Sequence, residues 1–175
     1  MKDVLNYLII LAGLLLVSGC GGAGRSEQNL SAASEVLEPD EIRARIAAGD
    51  TPLTMVHLWA TWCGPCVDEF PELVEMRERL SLAGVRVLLV SVDSVDNVEE
   101  VDGFLKRNQS PWSSLISASM GEDLMGIFSP DWSGAIPATF FFGRDGHLLK
   151  WWSGAKSADE YEAALAELAD EVAKQ

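Results

Sequence analysis

The chain has 175 residues, is 48% hydrophobic and carries a formal net charge of −14. That length suits one domain with a real core rather than several. The acidic balance repels phosphates and anionic headgroups, so nucleic acid is excluded as a partner and the protein surface is a poor membrane anchor; solubility is the plain reading of the charge.

Met1-Lys2-Asp3 precede an apolar run from Leu8 to Val17. The run falls short of the about 20 residues a bilayer-spanning helix needs. It suits the hydrophobic region of a signal peptide, although Asp3 weakens the positive start. Leu16-Val17-Ser18-Gly19-Cys20 resembles the bacterial lipobox. That resemblance implies cleavage before Cys20 and lipidation of its thiol, against an ordinary cleaved signal or an uncleaved anchor. The expected division is a signal peptide over 1–19, a lipidated Cys20 with a flexible Gly/Ser/Ala tether over 20–37, and a folded domain over 38–175.

Within the domain, Pro39 to Gly49 reads as a short helix opened by proline and acids and closed by glycine. Leu53 to Trp59 is a short, mostly apolar run that reads as a buried strand. A helix follows, with Val67, Phe70, Leu73, Val74, Met76 and Leu80 at helical spacing and a kink expected at Pro71. Val85 to Val92 is a β-branched strand, expected to be buried on both faces and parallel to the first. Val98–Asn108 reads as a helix, Ser114–Ser117 as a short strand and Glu122–Phe128 as a second short helix. Ala138–Phe142 and His147–Trp152 form a hairpin around Gly143-Arg144-Asp145-Gly146. Ser157–Lys174 closes the chain as a helix with Tyr161, Ala164, Leu165, Leu168 and Val172 on its apolar stripe. Strands alternating with helices give an α/β sandwich around a mixed sheet.

The chemistry centres on Trp59-Ala60-Thr61-Trp62-Cys63-Gly64-Pro65-Cys66, at the junction of the first buried strand and its helix. Free backbone N–H groups and the helix dipole stabilise a thiolate there. Cys63 leads the helix and is the expected nucleophile. Cys66, one turn inside, is more buried and close enough to close a small disulfide ring with it. The same spacing fits half of a zinc site, which would need a second ligand pair. The chain has three cysteines and two histidines, and His57 and His147 stand far apart, so no metal and no cofactor are expected.

Trp-Cys-Gly-Pro-Cys resembles the thioredoxin superfamily active site. Gly134-Ala135-Ile136-Pro137-Ala138-Thr139 resembles the family's Ile-Pro segment, and Gly154 matches a family glycine. The helix and strand inserted between the second core strand and Pro137 resemble the TlpA/ResA branch of tethered thiol–disulfide proteins. The resemblance, over about residues 38–174, implies a thioredoxin-like three-layer α/β sandwich with a central mixed sheet and Pro137 in a cis peptide packed against the dithiol. It also implies that Cys63 and Cys66 form a redox-active disulfide, with Cys63 attacking a target disulfide and Cys66 resolving the mixed disulfide.

Around that pair, Trp62 is expected to cap the site with apolar surface, and Ile136 and Trp132 to edge a substrate groove, with core packing as the alternative for Trp132. Glu69 lies three residues past Cys66 and should face the same side. A partly buried carboxylate there could take the Cys66 proton, and the TlpA/ResA branch carries a glutamate at this place; an exposed first-turn charge is the alternative. His57 departs from the family, which has a buried acid or an Asn there. It reads either as a proton relay under Cys66 or as a neutral buried histidine held by hydrogen bonds. His147 is expected to be exposed.

The expected function is an extracytoplasmic protein-disulfide reductase on a bacterial membrane. Its partners would be disulfide-containing exported proteins, with apocytochrome c as one candidate, and a membrane thiol-electron donor; a monomer is expected. The alternative is a client- or metal-binding module without turnover. A copper chaperone of this fold would place three residues between its cysteines, and a peroxidase would carry proline where Val56 stands.

Overall fold

The computed structural model describes residues 33–49 and 51–172. The described chain builds one six-stranded sheet in the order β1-β4-β3-β2-β5-β6. Its strands are β1 (Glu35–Leu37), β2 (Leu53–Trp59), β3 (Val85–Ser91), β4 (Ser114–Ser117), β5 (Ala138–Gly143) and β6 (Leu148–Ser153). Helices α1 (Pro39–Ala47), α2 (Gly64–Glu75), α3 (Arg77–Leu82), α4 (Val98–Arg107), α5 (Glu122–Phe128) and α6 (Ala158–Val172) connect and cover them. Pairing is parallel from β1 through β4 and β3 to β2, and antiparallel from β2 to β5 and β5 to β6. The sheet is therefore mixed, as the alternating pattern implies.

Side chains alternate across a strand, and β5 shows what that does here. Phe140 and Phe142 join a core with Ile42, Ile46, Leu124 and Phe128, which come from α1 and α5. Phe141 joins a second core with Leu73, Leu80, Tyr161 and Leu168, which come from α2, α3 and α6. The sheet thus lies between two helical layers. In β2, Met55 stands opposite Phe141 and His57 opposite Thr139. Directly opposed residues share a face, so His57 and Thr139 point toward the layer that holds α2 and α6.

Several boundaries differ from the sequence reading. Glu35–Leu37 falls in the expected tether but is strand β1, paired in parallel with Leu115–Ser117. A three-residue edge strand has too few positions to show a pattern of its own. The run after the dithiol, expected as one helix kinked at Pro71, is two helices, the first running through Pro71 to Glu75 and the second starting at Arg77. Pro71 is exposed, so the carbonyl that its missing N–H leaves open can face water. In β3, Arg86, Val87 and Leu88 are only half-buried, because β4 pairs with Leu89–Ser91 alone. The expected signal peptide and Cys20 lie outside the described residues, and among those described no helix is long and apolar enough to cross a membrane.

Candidate active site

β2 is buried along its whole length and delivers the chain to the top of the sheet at Trp59. Trp59 packs against Phe70 of α2 and Phe104 of α4, with ring centroids 5.4 and 4.9 Å away. That aromatic cluster fixes the start of α2 from below. From the side, buried Asp93 accepts hydrogen bonds from the Thr61 backbone N–H at 3.0 Å and the Thr61 hydroxyl at 2.5 Å. Ser91 Oγ donates to the same carboxylate at 2.7 Å. The loop carrying the cysteines is therefore tied to the end of β3. Neither Thr61 nor Asp93 was picked out by sequence pattern.

Cys63 is the N-cap of α2, and its sulfur accepts from the Cys66 N–H at 3.3 Å. Cys63 and Cys66 form a disulfide with their Cα atoms 5.2 Å apart. Cys63 retains 6% exposure and Cys66 none, so an approaching sulfur reaches Cys63 first. No acidic residue occupies the first turn of α2, so nothing there opposes a thiolate at the positive helix end.

The rim is set by two segments. Trp62 is 65% exposed beside Cys63. Pro137 is buried, Ile136 half-buried, and the peptide between them is cis. The Gly154 N–H donates to the Pro137 carbonyl at 2.8 Å, tying this segment to the end of β6. Gly154 has φ +90°, a conformation that glycine enters without a Cβ clash. Trp132 does not edge a groove. It is 2% exposed, stacks edge-on against Phe128 and Phe140, and its indole N–H donates to the Ala135 carbonyl at 2.9 Å. A buried tryptophan settles where its N–H finds an acceptor, and here that acceptor is the loop leading to Pro137.

A polar ring lies inside the core and starts on the helix that carries Cys66. Glu69, one turn further along α2, is 3% exposed. Its Oε1 accepts from the Tyr161 hydroxyl at 2.6 Å and from the Lys156 backbone N–H at 3.0 Å. Tyr161 Oη lies 3.0 Å from Thr139 Oγ1, which lies 3.0 Å from His57 Nδ1. The ring comes back on itself where His57 Nε2 stands 4.0 Å from Glu69 Oε2. Among the described residues those two buried atoms have no hydrogen-bond partner. Burial pushes the Glu69 carboxyl above its ordinary range, opposed by donation from Tyr161 and Lys156. Burial pulls His57 down to about 3, so the imidazole is neutral and the 4.0 Å contact is not an ion pair. Burial and the neighbouring Glu69 keep Tyr161 a neutral phenol.

Residues 39–150 match the AhpC/TSA family. The chain belongs to the AhpC/TSA family. Among its relatives, the thiol-disulfide oxidoreductase ResA of Bacillus thuringiensis is 24% identical over 110 residues, which are 63% of this chain and 60% of ResA. The chain thus spans 60–65% of the length of the ResA relatives it matches. The thiol:disulfide interchange protein HelX of Rhodobacter capsulatus is 27% identical over 163 residues, covering 83% of this chain and 86% of HelX. A crystal structure of a thioredoxin-family thiol:disulfide interchange protein from Chlorobium tepidum superimposes with a TM-score of 0.57 at 20% identity. It covers 72% of this chain and 83% of that one, and it establishes the thioredoxin-like fold.

In this AhpC/TSA-family chain the structure brings Cys63, Cys66, Trp62 and Glu69 to one end of α2, while Trp132 belongs to the core. His147 is exposed on the far hairpin. In the sequence Tyr161 reads as a member of an apolar stripe, and Thr139 carries no mark of a role. The signal that could have found them is chemical: a tyrosine and a threonine on faces that must be buried need partners for their hydroxyls.

Proposed function

We propose that this protein is a thiol–disulfide oxidoreductase that reduces disulfides of exported proteins with the Cys63/Cys66 pair. The observation that carries the reading is the asymmetry of the pair. One sulfur caps a helix and can be reached, and the other is sealed beside a buried carboxylate of raised pKa. The Cys63 thiolate attacks a client disulfide and forms a mixed disulfide. Glu69 then takes the proton of Cys66, and the Cys66 thiolate attacks Cys63 Sγ. The client leaves with the electron pair of the broken bond. Trp62 and Ile136 supply apolar surface for the client chain at the rim, and Pro137 backs the dithiol.

The names of ResA and HelX support this chemistry. The lipobox-like run supports anchoring through Cys20 on the outer face of a bacterial membrane, with a membrane thiol carrier as the electron source. The deciding experiment pairs turnover with potential. The chain should reduce a test disulfide when supplied with a thiol donor, and a potential near about −270 mV would mark a reductant. A potential near about −120 mV would reverse the direction, and stable client binding with no turnover would make it a binding module.

A further inference from the structure

The hydrogens of the buried ring can be counted. Tyr161 has one hydroxyl hydrogen and gives it to Glu69 Oε1. Its oxygen must then accept at the Thr139 contact, so Thr139 donates there. With that hydrogen used, Thr139 Oγ1 can only accept from His57, so Nδ1 carries the imidazole N–H. A neutral imidazole has one N–H, and Nε2 is left as a bare lone pair. Facing it at 4.0 Å is Glu69 Oε2, also without a partner. The ring is short of one hydrogen, and the gap lies between these two atoms.

We propose that Glu69 Oε2 and His57 Nε2 together hold the proton that moves on and off Cys66, with His57 the positioning residue that makes the protonated carboxyl the closed form of the ring. The proposal rests on the reading of Glu69 as the Cys66 proton acceptor and adds a partner to it. In resolution the Cys66 S–H bond breaks and an O–H bond forms on Glu69. The Cys66 sulfur bonds to Cys63, and the Cys63–client bond breaks with its electron pair on the client sulfur, which takes a proton from solvent. When a thiol donor later attacks Cys63, the electron pair of the Cys63–Cys66 bond goes to Cys66, which takes its proton back from Glu69. One proton therefore stays on the buried side through both halves of the cycle, and the Glu69–His57 contact closes only while Glu69 holds it.

The surroundings contain little else to do this. Beside His57 on the sheet stand Leu89 from β3 and Thr139 from β5. From α2 come Glu69 and, one turn on, Glu72, whose carboxylate is engaged by the Ala158 N–H at 3.1 Å. From α6 and the loop before it come Tyr161, Glu160 and Lys156, the last two paired with each other at 2.8 Å. Lys156 favours the charged carboxylate and Glu160 the neutral one, and both lie at the exposed edge.

The test compares the wild-type chain with His57→Asn, His57→Gln and Glu69→Gln by rapid mixing across the pH range, following the first attack and the resolution separately. Asparagine keeps an N–H near the Nδ1 position and offers nothing at Nε2; glutamine reaches toward Nε2. Accepting a hydrogen bond from protonated Glu69 raises its pKa. His57→Asn should therefore move the acid limb of resolution to lower pH by about one unit and slow resolution at neutral pH by about tenfold. The first attack should not change, and His57→Gln should recover part of the loss. Infrared titration of the oxidised wild type follows the carboxyl directly: a carboxylic-acid band absent from Glu69→Gln should persist to higher pH than that of an ordinary glutamate. If that band is lost where an ordinary glutamate loses it, or if His57→Asn matches wild type while Glu69→Gln does not, the role of His57 is overturned and that of Glu69 as acceptor survives. A uniform slowing of both steps with an unmoved acid limb would likewise leave His57 a packing residue. If Glu69→Gln itself matches wild type, the acceptor reading falls and takes the proposal with it.

Discussion

Replacing Glu69 by glutamine should make the protein more stable while it disables resolution. In the wild type, Glu69 Oε2 and His57 Nε2 are buried without partners. A polar atom left so costs about 1–3 kcal/mol. Glutamine keeps a carbonyl oxygen to accept from Tyr161 and Lys156, and its amide nitrogen can donate across the gap to His57 Nε2. One satisfied contact replaces two open ones, for a gain of about 1–2 kcal/mol where Glu69 is ionised. The sign with pH follows from the raised carboxyl. A group whose pKa is higher folded than unfolded contributes stability that is complete below the unfolded value of about 4.3 and is lost as pH rises through the folded value. The advantage of Glu69→Gln should thus be small at about pH 4 and larger at about pH 8. In a chain this size it corresponds to about 2–8 °C in Tm. Thermal unfolding of the oxidised full chain, followed by circular dichroism at both pH values, measures it. A variant less stable than wild type at the higher pH, or a difference that does not grow with pH, would mean that the two open atoms carry no such cost.

Further predictions rest on single contacts. Tyr161→Phe removes a donor that favours the Glu69 carboxylate, so the acid limb of resolution should move to higher pH, opposite to the shift expected for His57→Asn; stopped-flow pH profiles give the sign. Asp93→Ala strips the loop of its three hydrogen bonds from Thr61 and Ser91 and should cost about 2–4 kcal/mol in urea unfolding. Trp132→Ala should cost about 3–5 kcal/mol as a core deletion. Trp62→Ala, at an exposed site, should change stability by less than about 0.5 kcal/mol and raise KM for protein clients with little effect on a small disulfide.

What the sequence made legible was what repeats or what sits next to itself in the chain. The bounds of Leu53–Trp59, Ser114–Ser117 and Glu122–Phe128 could be read because apolar runs and helical spacing are local. The dithiol could be read because its two sulfurs belong to one helical turn, and Glu69 could be placed on the same side because it follows one turn later, although the spacing alone left its burial open. Contacts that join distant segments were hidden. His57 meets Thr139 across 82 positions and Tyr161 meets Glu69 across 92, so a stripe position on α6 carried no mark of its hydroxyl's partner. Trp132 sits in an irregular stretch where no period tells inside from outside. β1 is recognisable only by the strand it pairs with.

In the proposed cycle Cys63 attacks and Cys66 resolves. The most direct measurement is to incubate the reduced Cys66→Ser chain with a disulfide-bearing client peptide and map the product by mass spectrometry. A stable mixed disulfide at Cys63 should build up in this variant, be absent from Cys63→Ser and not persist in wild type. Failure of Cys66→Ser to form the adduct, or an adduct that accumulates equally in wild type, would rule out that order of attack.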